Sequence, residues 1–247
     1  MTADDTFLDR FVAFTSNTAH TDKAVKLLGY SLSTIAQALR YRNGDKHTEL
    51  SEGMDRIYGG LSMARIAFRM HGTLESIWEM RHVSGAEGWQ DPRIRPLARL
   101  QAATNLLYYP FEDVAWASSL APKLVKVDQA WCYAVSDWGW LVFCIVDMYM
   151  NVLKGRELRR LEEGIRRKLR DCAESETGPL LRQLAGIAAR KRILALQQWR
   201  MVFYLPNAVH WAFYKPPFHP GVVAVLGLAE AIVGAIQAFP QPKSASS

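Results

Sequence analysis

Residue types that carry out catalysis are present in this sequence, but their spacing does not match known catalytic or cofactor motifs. The stretch GYSLS at residues 29–33 begins like the nucleophile elbow of a hydrolase and lacks its closing glycine. The six histidines form no HExxH pair, and neither a GxGxxG turn nor a Walker phosphate loop occurs. The sequence therefore predicts no cofactor, no metal and no enzymatic activity.

Three acidic residues lie at unusual positions, inside apolar segments: Asp137, Asp147 and Glu230. An Asp at the centre of a membrane helix costs about 2.5–3.5 kcal/mol on an insertion scale. Glu230 is therefore expected to face a partner or a polar cavity. One interpretation of the three acids is a membrane channel or transporter for small metabolites. Another is a soluble helical interaction protein in which the apolar C-terminal part forms the core.

Two segments are long enough to cross a bilayer. Residues 218–239 form the more apolar one, and Glu230 is its only charged residue. Small residues recur there every four positions, at Gly227, Ala231 and Ala235, a pattern that lets two membrane helices approach closely. We therefore expect these three residues to mediate self-association into a homo-oligomer. Residues 131–153 are a second candidate span, with a buried or interfacial helix as the alternative.

Near the N-terminus, residues 21–42 have the pattern of a basic amphipathic helix. Lys23, Lys26 and Arg40 flank its apolar stripe, as expected of a helix lying on an anionic membrane surface. The alternative is a surface helix packed on an ordinary core. The predicted membrane-inserting residues are Val25, Leu28, Leu32, Ile35 and Leu39.

The net charge of +6 is concentrated in residues 154–200, which hold 13 Lys or Arg against 6 Asp or Glu, a net of +7. This excess favours an anionic partner. Few aromatic residues and no recognition motif accompany it, so we expect anionic phospholipid and no nucleic acid. The alternatives for this basic helical hairpin are a solvated surface and contact with a membrane or a receptor.

The remaining chain also has helical periodicity, which predicts an all-α fold: a membrane-associated bundle of amphipathic helices with one transmembrane helix and a second candidate. A helix ending at residue 82 carries Arg65 and Arg69 one turn apart, two further candidates for anionic-lipid contact. Pro110 is expected to divide the next helix. The predicted regions are an N-terminal amphipathic part (1–125), the candidate span (126–153), the basic hairpin (154–200), the C-terminal membrane segment (201–240) and a disordered tail (241–247).

Four stretches in order together resemble the peroxin-11 family of peroxisomal or glycosomal membrane proteins. DKAVKLLGYSLSTIAQAL at 22–39 resembles the first amphipathic helix, with a Tyr eight residues after the Asp. LSMARIAFRMHGTLESI at 61–77 is similar to the second block, with its two arginines four apart. LLYYPFEDVAWAS at 106–118 and GVVAVLGLAEAIVGAIQAF at 221–239 resemble the middle block and the closing membrane segment. Ile66, where the family often has Lys, and Glu230 depart from the pattern.

The resemblance implies a non-enzymatic protein of the peroxisomal membrane that elongates, proliferates and divides the organelle. It also implies self-association and recruitment of dynamin-type fission machinery. The basic region 154–200 is a candidate signal for the import receptor of peroxisomal membrane proteins. The resemblance implies cytosolic termini, whereas the positive-inside rule with two spans would place the basic region in the cytosol. Topology is therefore left open by the sequence.

Overall fold

The computed structural model describes residues 11–12, 14–171 and 174–239, and this part of the chain consists almost entirely of α-helix, without β-strands. The predicted all-α fold is thus confirmed. The predicted tail at 241–247 lies outside the described residues. In chain order the helices are α1 (Thr18–Arg42), α2 (Glu49–Phe68), α3 (Gly72–His82), α4 (Ile94–Leu120), α5 (Gln129–Asp171), α6 (Glu174–Ala212) and α7 (Pro220–Ala238).

Side-chain caps determine where the first two helices begin. The Asn17 side chain accepts hydrogen bonds from two backbone N–H groups of the first turn of α1, so this helix begins three residues before the predicted start. Thr48 and Ser51 form a reciprocal capping box at the start of α2. The helix expected to carry Arg65 and Arg69 and to end at residue 82 is divided, because α2 ends at Phe68 and α3 begins at Gly72.

Two prolines that predict helix breaks lie inside helices instead. Pro110 is in the middle of α4, and Pro179 lies near the beginning of α6. A proline removes one hydrogen bond and bends a helix, but packing on both sides can hold the helix together. The prediction that Pro110 divides two helices is therefore wrong. The basic segment 154–200 is likewise shared between two long helices, α5 and α6.

The helices pack in a closed order around a common centre. In this order α2 packs on α1, α1 on α7, α7 on α6, α6 on α5, and α5 on α4. A smaller contact between α2 and α4 closes the ring, and α3 lies against α4. Every helix therefore has one side turned toward the others and one side turned outward.

Small and polar residues occupy the inward sides of several helices. At Gly139 of α5, a Cβ atom would lie 2.9 Å from the backbone oxygen of Thr104 in α4, so only glycine permits this crossing. Ser136, one turn earlier, donates a hydrogen bond to the backbone oxygen of Tyr108 at 2.9 Å. Asn207 of α6 donates to the backbone oxygen of Val223 in α7 at 3.0 Å. The helices are therefore close enough for side chain-to-backbone hydrogen bonds.

Large apolar side chains point outward along α5 and α7. On α7 the exposed residues are Val222, Val225, Ile232 and Ile236. On α5 they follow helical spacing over 22 residues, a length of roughly 33 Å at 1.5 Å per residue, similar to the hydrocarbon core of a bilayer at about 30 Å. The exposed residues of α5 are Trp131, Trp138, Val142, Ile145, Tyr149 and Val152.

Among the described residues, α7 is the one helix that is long and apolar enough to cross a membrane. Only 33% of the most apolar 18-residue stretch of this helix is buried inside the bundle, whereas the core helix of a soluble protein would be mostly buried. Residues 131–153, which include Asp137 and buried Asp147, do not meet the same test of length and apolar composition. Of the two predicted spans, the structure thus retains residues 220–238 as a candidate, and a crossing by residues 131–153 stays a prediction.

Packing between α1 and α7 supplies a test of this fold. A Cβ atom at Gly227 would overlap the ring of buried Tyr30, whereas a Cβ at Gly164 on the outside of α5 meets nothing. We expect Gly227→Ala to lower the free energy of unfolding by about 1–3 kcal/mol through overpacking. Gly164→Ala, the matched control, should raise it by about 0.5–1 kcal/mol through helix propensity. Thermal unfolding of the full chain in detergent, followed by circular dichroism, measures both. Equal or higher stability of Gly227→Ala would contradict the packing.

Candidate functional site

Glu230, the acid inside α7, is buried and shared between two cations from different helices. Arg200 of α6 donates to its Oε1 from Nε at 3.2 Å and from Nη2 at 3.0 Å, and the Lys26 ammonium of α1 pairs with Oε2. The Glu230 side chain is only 2% exposed. The expectation that this acid faces a partner is confirmed. One carboxylate therefore holds α1, α6 and α7 together.

Two further ion pairs join α1, α2 and α4 beside Glu230. Arg65 of α2 makes a two-point contact with Asp22 of α1, from Nε at 2.8 Å and Nη2 at 3.3 Å. Arg69, directly after α2, donates to Glu112 of α4 at 2.9 Å. The Tyr108 hydroxyl donates to the same Glu112 oxygen at 2.8 Å. These contacts place a layer of charge at the centre of the bundle.

The charged layer surrounds a cavity of about 220 Å³, which we call the central cavity. All seven helices contribute to its wall. Four of the five cations predicted to contact anionic lipid line this one cavity, namely Lys23, Lys26, Arg65 and Arg69. Arg40 lies apart and pairs with Asp55 of α2. The other charged and aromatic lining residues are Asp22, Phe68, His71, Glu75, Tyr108, Tyr109, Trp140, Arg200, Tyr204 and Glu230.

Burial and the neighbouring cations act on the two lysines of α1. Burial lowers the pKa of Lys26 to about 8, an effect that Glu230 opposes and that Arg65 and Arg200 reinforce. Burial also lowers the pKa of Lys23, and the positive charge of Arg200 adds to this effect. The Lys26 ammonium lies 4.2 Å from the centre of the Tyr204 ring, close enough for a cation–π contact. Burial is thus the main reason why both lysines lose their protons more readily than in water, and nearby acids, Glu230 for both and Asp22 for Lys23, oppose this effect.

The apolar stripe predicted to insert into lipid lies on the outer side of α1. Leu28 and Ile35 are 54% and 47% exposed, and the other three members are half-buried: Val25, Leu32 and Leu39. The inward side of α1 consists of Gly29, Tyr30, Ser33 and Ala36. The helix thus buries small and polar residues, plus one tyrosine, and turns large aliphatic residues outward. Insertion of the stripe into lipid stays a prediction.

The small-residue face of α7 has an intramolecular partner. Gly227 lies against the Tyr30 ring of α1, Ala231 is buried, and Ala235 is half-buried. In this conformation α1 occupies the position that a second copy of α7 would need. Self-association through Gly227 and Ala231 stays a prediction, and it would require α1 to leave this face.

Asp147, one of the acids that suggested a transport route, is hydrogen-bonded on every side. It accepts from Gln101 at 3.0 Å, from Asn151 at 3.0 Å and from Gln197 at 2.9 Å. These amides come from α4, α5 and α6, so Asp147 joins three helices. This arrangement gives Asp147 a structural role.

Sequence reasoning missed several members of the cavity. Arg200 was counted only as part of the basic segment, and the contribution of Trp140 and Tyr204 was not anticipated. The available signal was Glu230 itself, because a single acid in an apolar helix requires a cation from another segment. The sequence does not show which of its 30 Lys and Arg residues is the partner of Glu230.

The fold and the cavity define a helical protein with a layer of buried charge at its centre and exposed aliphatic side chains along α1 and α7. A family model described as Peroxisomal biogenesis factor 11 (PEX11) matches residues 8–239. The chain is 26% identical to Peroxisomal membrane protein 11C of Mus musculus and 25% identical to that of Homo sapiens, over 88% of both chains in each case. No solved structure matches it.

The chain belongs to the peroxisomal biogenesis factor 11 family. It is accordingly a protein of the peroxisomal membrane, and its role lies in peroxisome proliferation. The family is one of non-enzymatic biogenesis factors.

Removing the shared carboxylate tests the charge network. In Glu230→Gln, Lys26 and Arg200 lose their buried anion, so we expect the free energy of unfolding to fall by about 3–5 kcal/mol. Glu162→Gln is the matched control, because Glu162 pairs with Arg166 and Lys191 at the surface and should matter little. Thermal unfolding of the two variants in detergent makes the comparison. Similar losses in both would show that Glu230 is not the central contact.

The pKa of Lys26 gives a pH-dependent prediction. Because its pKa of about 8 in the folded chain lies below the ordinary lysine value of 10.5, the unfolded chain binds more protons between these pH values. The stability that Lys26 contributes should therefore increase as the pH rises from about 8 to about 10. As the pH rises over this range, the unfolding temperature of the wild type should increase relative to that of Lys26→Met. A difference that is constant with pH would contradict the lowered pKa.

Proposed function

We propose that the chain elongates the peroxisomal membrane by inserting the outer face of α1 into the cytosolic leaflet, while α7 anchors it in the bilayer. The observation that carries this proposal is the orientation of α1. Leu28 and Ile35 point away from the bundle, while Gly29, Ser33 and Ala36 point into it. A helix packed on a protein core in water has the opposite orientation, with its large apolar residues inward.

The outward stripe of α1 supplies the energy for insertion. Fully burying a Leu or Ile side chain contributes about 1.5–3 kcal/mol, and burial at an interface is less complete. A cation near anionic lipid adds on the order of 1 kcal/mol. Lys23 is the flanking lysine that makes no ion pair among the described residues, whereas Lys26 and Arg40 are engaged with acids. Apolar insertion therefore contributes more than charge in this conformation.

The membrane would bend because α1 would insert into one leaflet only. A helix of 25 residues is roughly 38 Å long, so α1 would occupy area in one leaflet only. Adding area to one leaflet curves the bilayer, and many copies are needed to elongate an organelle. Self-association would concentrate those copies through an outer face, such as the exposed aliphatic side of α7.

The basic halves of α5 and α6 are suited to a different partner. Many of their cations are exposed, among them Arg167, Lys168 and Arg170 on α5 and Arg192 on α6. A surface of this kind would suit the acidic binding site of an import receptor, or the headgroups of a membrane. Contact with dynamin-type fission machinery belongs to the same proposal and would come after elongation.

Introducing negative charge on the outward side of α1 tests the insertion step. We expect Leu28→Glu/Ile35→Glu to stay anchored in anionic proteoliposomes, resistant to alkaline carbonate, but to lose the ability to form tubules seen by electron microscopy. These two positions are chosen because they are the exposed members of the stripe, so the fold should survive. Leu181→Glu/Ile193→Glu on α6 is the matched control, with similar exposure and the same added charge. It should tubulate vesicles like the wild type. Undiminished tubulation by the α1 variant would refute the proposal.

A further inference from the structure

We propose that the central cavity binds a phosphate group, carried either by a phospholipid headgroup or by a small water-soluble phosphate compound. The proposal concerns the inward side of α1 and the ring of helices around it. It does not depend on insertion of the outward stripe into lipid.

The charges around the central cavity do not balance within the chain. Five cations meet there. Asp22 and Glu230 face them in the cavity wall, and Glu112 holds Arg69 from beside it. A further lining acid, Glu75, is exposed at the opening and pairs with His71. Asp22 is engaged by Arg65, Glu112 by Arg69, and Glu230 by two cations at once. Uncompensated charge in a protein interior is costly. A bound anion would supply the missing negative charge.

Lys23 is the cation that most clearly lacks a partner. Its side chain lines the cavity and is half-buried, yet it forms no ion pair or hydrogen bond among the described residues. Every other cation of the cavity is held by a carboxylate. Lys23 is therefore the side chain most available to a ligand.

One buried acceptor of the cavity wall, Oε2 of Glu230, has no hydrogen bond but lies against the Lys26 ammonium. Two buried nitrogen donors of the wall lack a hydrogen-bond partner among the described residues: Nε of Arg69 and Nε1 of Trp140. Both atoms can donate and cannot accept. Buried donors of this kind normally have a partner. Unfilled donors and surplus positive charge together indicate a ligand rich in acceptor oxygens, and a phosphate group has this chemistry.

The size and the opening of the cavity fit a ligand of this class. About 220 Å³ corresponds to roughly seven water molecules at about 30 Å³ each, which leaves room for a phosphate group with a short substituent. His71 and Glu75 line the cavity and are well exposed, so they mark its opening to the outside. Tyr108, Tyr109 and Tyr204 form an aromatic part of the cavity wall.

Ligand-induced stabilisation of the full chain in a non-ionic detergent tests the site. The probes are sodium phosphate and dihexanoyl phosphatidic acid, each titrated against sodium chloride at matched ionic strength. Dihexanoylglycerol, which lacks the phosphate, is the control for the acyl chains. The concentration dependence of the unfolding temperature gives the affinity. We expect stabilisation by a phosphate-bearing probe and none by chloride or dihexanoylglycerol.

Two variants tie the effect to the cavity. Lys23→Gln should weaken binding at least tenfold, whereas Lys46→Gln, an exposed lysine after α1, should leave it unchanged. Trp140→Phe removes only the indole donor and should weaken binding a few-fold. Stabilisation by both probes identifies a site open to free phosphate compounds, and stabilisation by phosphatidic acid alone identifies a headgroup site. Absence of stabilisation by either probe, or equal affinity of Lys23→Gln and wild type, would overturn the proposal.

Discussion

The structure depends on the requirement that a carboxylate inside an apolar helix be neutralised. Glu230 has no charged neighbour on α7, so its partners must come from other helices, and they do: Lys26 from α1 and Arg200 from α6. This requirement determines which side of α7 faces inward. Gly227 and Gly234 lie on the same side because they are three and four residues from Glu230, and their lack of side chains admits Tyr30 and Arg200. Charge neutralisation and close packing thus favour the same orientation of α7.

Beside two apolar clusters, one around Ile94 and Leu153 and one around Leu141, buried polar side chains also join helices of the bundle. Asp147 is held by three amides, Ser136 bonds to a backbone carbonyl of α4, and Asn207 bonds to one of α7. In water, burial of apolar surface drives folding. The exposed aliphatic side chains of α1, α5 and α7 would contribute little to that burial. In a bilayer the outer surface is already solvated by lipid, and helices associate through small residues and hydrogen bonds. The inward side chains are those that stabilise helix association in lipid.

The sequence predicts the fold class, the closing span and the need of Glu230 for a partner, because each follows from composition within one segment. Helix ends were less predictable: Asn17 and Thr48 act as caps through local geometry, and Pro110 is tolerated because neighbouring helices hold α4 together. The cations of α1 and α2 were identified as a group but expected at the surface. Periodicity places Lys23, Lys26 and Arg65 on helix faces, and it does not show which faces meet. The cavity arises from contacts between residues 30 to 204 positions apart, beyond the reach of local patterns.

The two sides of α1 explain how a shallow helix could act on a membrane at all. An amphipathic helix on a flexible tether would add area to one leaflet but would be free to tilt and to leave it. Here α1 is fixed to the candidate span α7 by the Lys26–Glu230 pair and by the fit of Tyr30 against Gly227. It is also fixed to α2 by the Asp22–Arg65 pair. The outward residues Leu28 and Ile35 are therefore held at a constant position relative to the anchor. If α1 inserts as proposed, a wedge attached in this way would keep its depth and orientation in every copy, and the curvature produced by neighbouring copies would add up.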